Sequence, residues 1–242
     1  MNLMLPIVVM WTFLQILVPG APCSCAQEAQ KTNELSFTAA EVATRIQAKA
    51  KSLRSLSGKF QQVKLTRFLV SPMESQGTFH WQPPQNFCWE VTQPAPFRLV
   101  AKGDAILVHY PDLNRAYLHR HPMGGGLLGQ ITGTAGDAEA FERSYNLQVA
   151  PEEADDFEHK TLIHFRMEPK SSNQSRYLKR IDVLINPDAW LPQKIVIWES
   201  NDDRTTILLS DLVENGPVPE SIFSVEPPAG VDLQQFQGGK QP

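Results

Sequence analysis

Between Gly77 and Leu99 the chain reads GTFHWQPPQNFCWEVTQPAPFRL, and its large apolar residues recur at every second position. Phe79 and Trp81, then Phe87, Trp89 and Val91, then Phe97 and Leu99 alternate with polar neighbours, and Pro83-Pro84 and Pro94 separate the groups. A period of two puts these side chains on one face of extended backbone, and proline interrupts such backbone, so the stretch predicts three short strands. The opposite face carries Thr78, His80, Glu90 and Arg98. One greasy and one polar face predict a half-buried antiparallel sheet, not a parallel sheet covered on both sides. The greasy face must enclose either the protein's own core or an apolar guest that comes and goes.

Upstream, Thr38 with Glu41 forms a capping-box pattern. Ala39, Val42, Ala43, Ile46, Ala50 and Leu53 then repeat along one side of a predicted helix, while Arg45, Gln47, Lys49 and Lys51 fall elsewhere. A helix with one apolar stripe needs an apolar surface, and the concave side of the sheet is the nearest. Ser57-Gly58 ends the connection, and Lys59 to Leu69 begins the sheet, with Phe60 as its first aromatic.

Downstream the pattern is a meander. Lys102-Gly103-Asp104 is a hairpin signal, Ile106, Val108 and Tyr110 alternate up to a turn at Pro111 to Asn114, and Arg115 to His121 is the next strand. Leu147–Val149, Thr161–Met167, Tyr177–Ile185, Pro192–Ser200 and Thr205–Leu212 read as further strands, with Pro151 to Glu158 a solvated acidic loop that lacks the ligand spacing of a calcium site. Phe223, Val225, Pro227-Pro228 and Gly230-Val231 close the domain, which spans residues 37–233, and a loose tail is expected over 234–242. No strand, helix, strand rhythm of a nucleotide-binding fold occurs. The interruption from Met123 to Tyr145 contains Gly124-Gly125-Gly126 and then Leu127, Leu128 and Ile131, which reads as a flap over the mouth of the sheet or as a static loop whose leucines finish the core. No Lys followed by Ser or Thr closes the glycine run, so it is not a phosphate loop.

Residues 1–26 have the pattern of an export signal, an apolar run from Leu5 to Pro19 ending in Ser24-Cys25-Ala26, with a polar linker over 27–36. Cleavage before Gln27 would remove Cys23 and Cys25 and leave Cys88 as a semi-buried spectator without a disulfide partner. The chain has 242 residues, 42% apolar and 20% charged, enough for one domain with a real core, and its net charge of −4 gives nucleic acid no basic surface to bind. Chemistry is thin. His119 and His121 share a strand face with His109 nearby, short of a built metal site, and no nucleophile elbow or acid–base pair stands out. No enzyme activity and no cofactor are expected.

Taken in order, the helix running into LRSLSGKFQQ, then SQGTFHWQPPQNFCWEVTQP, ILVHYPDLNRAYL, the glycine-rich interruption, LPQKIVIWESNDDRTTILLSDL and FSVEPPAGVDL resemble the periplasmic outer-membrane lipoprotein carrier family over Leu53 to Leu233. Phe87-x-Trp89 with Pro94 and the Pro-Pro-x-Gly-Val ending carry most of the likeness, and the Gly-x-Phe-x-Gln entry at Gly58, Phe60 and Gln62, where Gln61 is the better fit, carries less. The resemblance implies an α+β, mainly antiparallel fold, an unclosed half-barrel sheet covered by helices over a hydrophobic cavity. It implies a monomeric periplasmic carrier that takes lipoprotein acyl chains, or a related lipid, from an inner-membrane ABC transporter and passes them to an outer-membrane receptor. Cavity and lid would be built by Phe60, Phe79, Trp81, Phe87, Trp89, Val91, Phe97, Leu99, Ile106, Val108, Leu127, Leu128 and Ile131. In the better-known carriers an arginine precedes the proline between the two aromatic strands and holds the lid closed; Pro83 stands there, so lid closure by that bond is not expected. The alternatives are a lipid-sensing binding module and a receptor of the same superfamily anchored by lipid on Cys23 or Cys25.

Overall fold

Thr38 starts the fold. The structure, a computed structural model, describes residues 37–120, 142–150 and 162–237. In α1 (Ala39–Ser52) the capping box is formed: the Thr38 backbone N–H donates to Glu41 Oε2 at 2.8 Å, and the Glu41 N–H donates back to Thr38 Oγ1 at 3.3 Å. The Thr38 backbone bond is the main cause that holds the Glu41 carboxyl below its ordinary value. Val42 and Ala43 are buried, as the stripe predicts.

Among the described residues twelve strands follow in a single sheet. The first meander is β1 (Leu56–Leu65), β2 (Met73–Gln82), β3 (Asn86–Gln93), β4 (Phe97–Lys102), β5 (Ala105–Tyr110) and β6 (Arg115–Arg120). The second is β7 (Tyr145–Val149), β8 (Ile163–Pro169), the single turn α2 (Ser172–Ser175), β9 (Leu178–Asn186), β10 (Leu191–Glu199) and β11 (Arg204–Glu214). Antiparallel pairing of β1 with β11 joins the two meanders, and a last strand, β12 (Asp232–Gln237), adds to β6, so the sheet runs β12-β6-β5-β4-β3-β2-β1-β11-β10-β9-β8-β7, with β7 and β12 as unjoined edges. The expected mainly antiparallel, unclosed sheet is present. Among the described residues α1 is the one helix long enough to cover it, and none is long and apolar enough to cross a membrane.

Two expectations need correction. Gln234 to Gln237, read as a loose tail, belong to β12 (Asp232–Gln237), which pairs in parallel with β6. Leu233 packs on the Ala105, Leu107, Ala116 and Leu118 cluster, and Phe236, itself 45% exposed, stacks on His119 at 4.8 Å on the other face. The first strand, expected to run to Leu69, ends at Leu65. The export signal, the linker, the acidic loop and nearly all of the glycine-rich flap lie outside the described residues.

Gly77 shows why the aromatic stretch folds as it does. A Cβ there would lie 1.8 Å from the Glu90 carbonyl oxygen and 3.0 Å from the Phe60 ring. Its bare backbone lets β3 shift register by one residue beside it, and Phe60, on the strand to the other side, stacks on Trp89 at 3.6 Å. On the convex side, the segment after β11 crosses β3 and β4, and Phe223 seals Cys88 and Val100 beneath it. Burial raises the Cys88 thiol above its ordinary value, which leaves it an inert core residue.

Candidate functional site: an apolar cavity between helix and sheet

Register lines up the inward side chains in rows. Phe165, Val183, Ile195 and Ile207 face one another across β8 to β11. Phe79, Trp89, Leu99 and Val108 do the same across β2 to β5. At ~4.8 Å per strand, β4 and β8 would stand about 34 Å apart in a flat sheet. Leu99 and Phe165 nevertheless line one cavity, so the sheet is curled around it.

The cavity encloses about 350 Å³, within the roughly 300–1,000 Å³ of sites that hold small ligands. Its roof is the apolar stripe of α1, where Ala43, Ile46, Ala50 and Leu53 face the sheet. Lys49 and Gln62 are the two polar residues among the twenty-three lining it, so it offers a guest almost no hydrogen-bonding partners. The Lys49 ammonium is itself engaged, 2.7 Å from Glu214 on β11, so its stem faces the cavity while its charge ties helix to sheet. Phe37 meets Trp190 edge-on at 5.3 Å, and the Arg45 guanidinium lies over both rings at 4.7 and 4.9 Å, which fixes the start of α1 to a residue of the wall. Among the described residues no group of His, Cys, Asp and Glu is arranged to hold a metal.

Residues 51–226 match the family described as outer membrane lipoprotein carrier protein LolA. The chain belongs to this family. It is 23% identical over 185 residues to the outer-membrane lipoprotein carrier protein of Dechloromonas aromatica (strain RCB), covering 76% of this chain and 82% of that one. It is 24% identical over 200 residues to the protein of the same description from Legionella pneumophila (strain Paris), covering 82% and 90%. An uncharacterized conserved protein from Thermus thermophilus shares the fold at a TM-score of 0.52 with 8% identity, covering 80% of this chain and 99% of that one. The LolA family is one of carriers and not of enzymes.

In this LolA-family chain the residues singled out in the sequence fall into four groups. Phe79, Trp81, Phe87, Trp89, Phe97 and Leu99 line the cavity. Phe60 and Val91 lie on the same face, 1% and 3% exposed, packed behind the wall. Ile106 and Val108 continue that face on β5, half-buried and outside the cavity lining. Leu127, Leu128 and Ile131 lie outside the described residues. The other half of the wall, Phe165 and Met167 on β8, Val183 and Ile185 on β9, and Ile195 on β10, was not picked out by sequence. Its period-two signal was visible at Ile163, Phe165 and Met167, but nothing in it separates a wall from an ordinary core.

The convex face behind that second half is polar and closed. Asp182 on β9, 4% exposed, accepts from Arg166 Nε at 2.7 Å, Arg180 Nε at 2.9 Å and Trp198 Nε1 at 2.9 Å, with His164 Nε2 3.1 Å away. Burial alone would raise its carboxyl, but the hydrogen bonds from His164, Arg166 and Arg180 outweigh that and hold it well below the usual carboxylate range. Arg180 and Arg204 also lie over the Trp198 ring. With donors from β8, β9 and β10 on one carboxylate, the cluster pins the three strands in register.

Proposed function

We propose that the cavity shields the acyl chains of lipoproteins, or of a related lipid, during passage across the periplasm. The observation that carries this reading is the unfilled, almost wholly apolar hollow between α1 and the concave sheet, in a chain of the LolA family. Each methylene moved out of water contributes about 0.8 kcal/mol, so a lipid-anchored protein needs an apolar shelter to leave one membrane for another. Trp81, Phe87, Trp89 and Phe97, with Leu99 beside them, form the wall for the chains, and α1 is the roof. The glycine-rich segment with Leu127, Leu128 and Ile131 acts as the lid.

In this reading residues 1–26 direct export and are removed, leaving a monomer that begins at Gln27. Cargo comes from an inner-membrane ABC transporter that extracts lipoproteins and goes to an outer-membrane receptor. The carrier needs no nucleotide or cofactor, because a series of apolar sites of increasing affinity drives the handover.

The test is native mass spectrometry of protein isolated from the periplasm, with extraction of whatever is bound. Diacylated or triacylated cargo should accompany the wild type and be lost from Leu99→Asp and Trp89→Asp, while circular dichroism shows the fold intact. Wild-type protein free of any acyl compound, or variants that retain it, would overturn the reading. A mature chain starting with a lipidated cysteine would reassign the protein as a receptor.

A further inference from the structure

The hairpin between β1 and β2 carries the largest contiguous apolar exposure among the described residues. Phe68 is 83% exposed, Leu69 51%, Val70 106% and Met73 53%. Other exposed large apolar residues, such as Leu113 and Tyr177, stand singly, which is ordinary for a surface. Here they follow one another in the sequence RFLVSPM. The tip leaves the sheet beyond Leu65: pairing of β1 with β11 ends at Leu65 opposite Arg204, and pairing of β2 with β3 begins only at Gln76, so residues 66–72 lie outside every strand pair. Its base is tied down, with the Arg67 N–H donating to Asp203 Oδ1 at 3.3 Å and the Leu69 N–H to the Thr66 carbonyl at 3.4 Å.

We propose that this tip docks on a phospholipid bilayer, with Phe68, Leu69, Val70 and Met73 entering the interfacial layer. Charge and shape point to lipid and not to protein. Arg67 is the one charged residue from Leu65 to Met73, so apolar side chains are joined to a cation suited to lipid phosphates. Phe68, Leu69, Val70 and Met73 offer a partner protein little apolar area, whereas a bilayer deforms around them. The tip is also continuous with the cavity. Leu56 and Gln62 of β1 line it, and β1 ends at Leu65, three residues past Gln62, about 10 Å at ~3.3 Å per residue. That is the same order as one leaflet of hydrocarbon, about 15 Å, so a docked tip would hold the cavity within reach of a membrane-anchored chain. The purpose of the tip rests on the carrier reading, but its test does not.

The experiment is flotation of the exported chain with vesicles of phosphatidylethanolamine and phosphatidylglycerol, together with an environment-sensitive dye on Val70→Cys, the buried Cys88 being inaccessible to label. The wild type should float with vesicles and the dye should shift to the blue on binding. The combined variant Phe68→Ser, Leu69→Ser, Val70→Ser should lose at least tenfold in vesicle affinity, with melting temperature and fluorescent fatty-acid uptake unchanged. Phe68→Ser alone should give an intermediate loss, and Arg67→Glu a loss that disappears on uncharged vesicles. Equal flotation of wild type and triple variant, or no flotation of the wild type, overturns the proposal. So does a concentration-dependent dimer that the triple variant abolishes, since a second copy would then cover the tip. If the wild type floats through its tip yet takes up no fatty acid, the carrier reading fails and the tip stands; with fatty-acid uptake but no flotation, the tip fails and the carrier reading stands.

Discussion

The two halves of the concave face share one sheet, one covering helix and one cavity, yet they are filled to different degrees. On β8 to β10 the inward residues are aliphatic for the most part, and α1 presses onto them, with Val42 and Ile181 0% exposed and Ile185 1%. On β2 to β4 the inward residues are mostly aromatic, and Trp89, Phe97 and Leu99 remain half-buried beside the hollow. The difference follows from reach. A single helix of 14 residues, about 21 Å at 1.5 Å per residue, can cover only part of a curled sheet twelve strands wide. The rigid rings beyond it stack on each other, as Phe60 does on Trp89, and hold the wall open without collapsing into the gap. Both halves line the hollow, but the β8 to β10 half is the more completely packed, and the side chains left partly exposed beside the space are those of the aromatic half.

Substitutions can break or sharpen this contrast. The largest effect is expected from Asp182→Ala behind the packed half, which strips the buried partner from Arg166 and Arg180 and should cost about 3–5 kcal/mol in urea unfolding. Because the folded carboxyl is held below its unfolded value of about 3.9, its contribution is present above that pH and is lost as pH falls below about 4. Wild-type stability should therefore decline over that acidic range, and Asp182→Asn should flatten the decline. Ile181→Ala, in the fully packed core, should cost about 2–5 kcal/mol by the same measurement and leave lipid uptake unchanged. Gly77→Ala drives a methyl group against the Glu90 carbonyl under the aromatic wall and should cost about 1–3 kcal/mol. Thr38→Ala removes the helix cap and should cost about 1 kcal/mol, seen as a small fall in melting temperature. Leu99→Ala, already beside empty space, should cost under about 1 kcal/mol yet weaken fatty-acid binding severalfold. A Leu99→Ala cost equal to that of Ile181→Ala would mean the hollow half is packed like the other.

The legible parts of the molecule were those with a strong local period. The capping box at Thr38, the α1 stripe and the aromatic strands from Phe79 to Leu99 announce themselves within a few residues. β12 did not, because Gln234, Gln235 and Gln237 leave only Leu233 and Phe236 to mark its two faces, and its partner β6 lies more than a hundred residues earlier. The Asp182 cluster draws donors from β8, β9 and β10, and only register brings them together. The second cavity wall was visible as strands but not as wall. Phe165 and Val183 read as core, and what distinguishes a lining residue is the absence of a neighbour opposite, which no alternation pattern encodes.

The central claim, that the hollow receives an acyl chain, can be tested by quenching of tryptophan emission with a brominated fatty acid. Trp81, Trp89 and Trp190 line the cavity, whereas Trp198 lies on the Asp182 cluster. Saturable, strong quenching that Trp89→Phe sharply reduces is the expected result. Emission that stays unchanged at high fatty-acid concentration, or quenching confined to Trp198, would contradict the account.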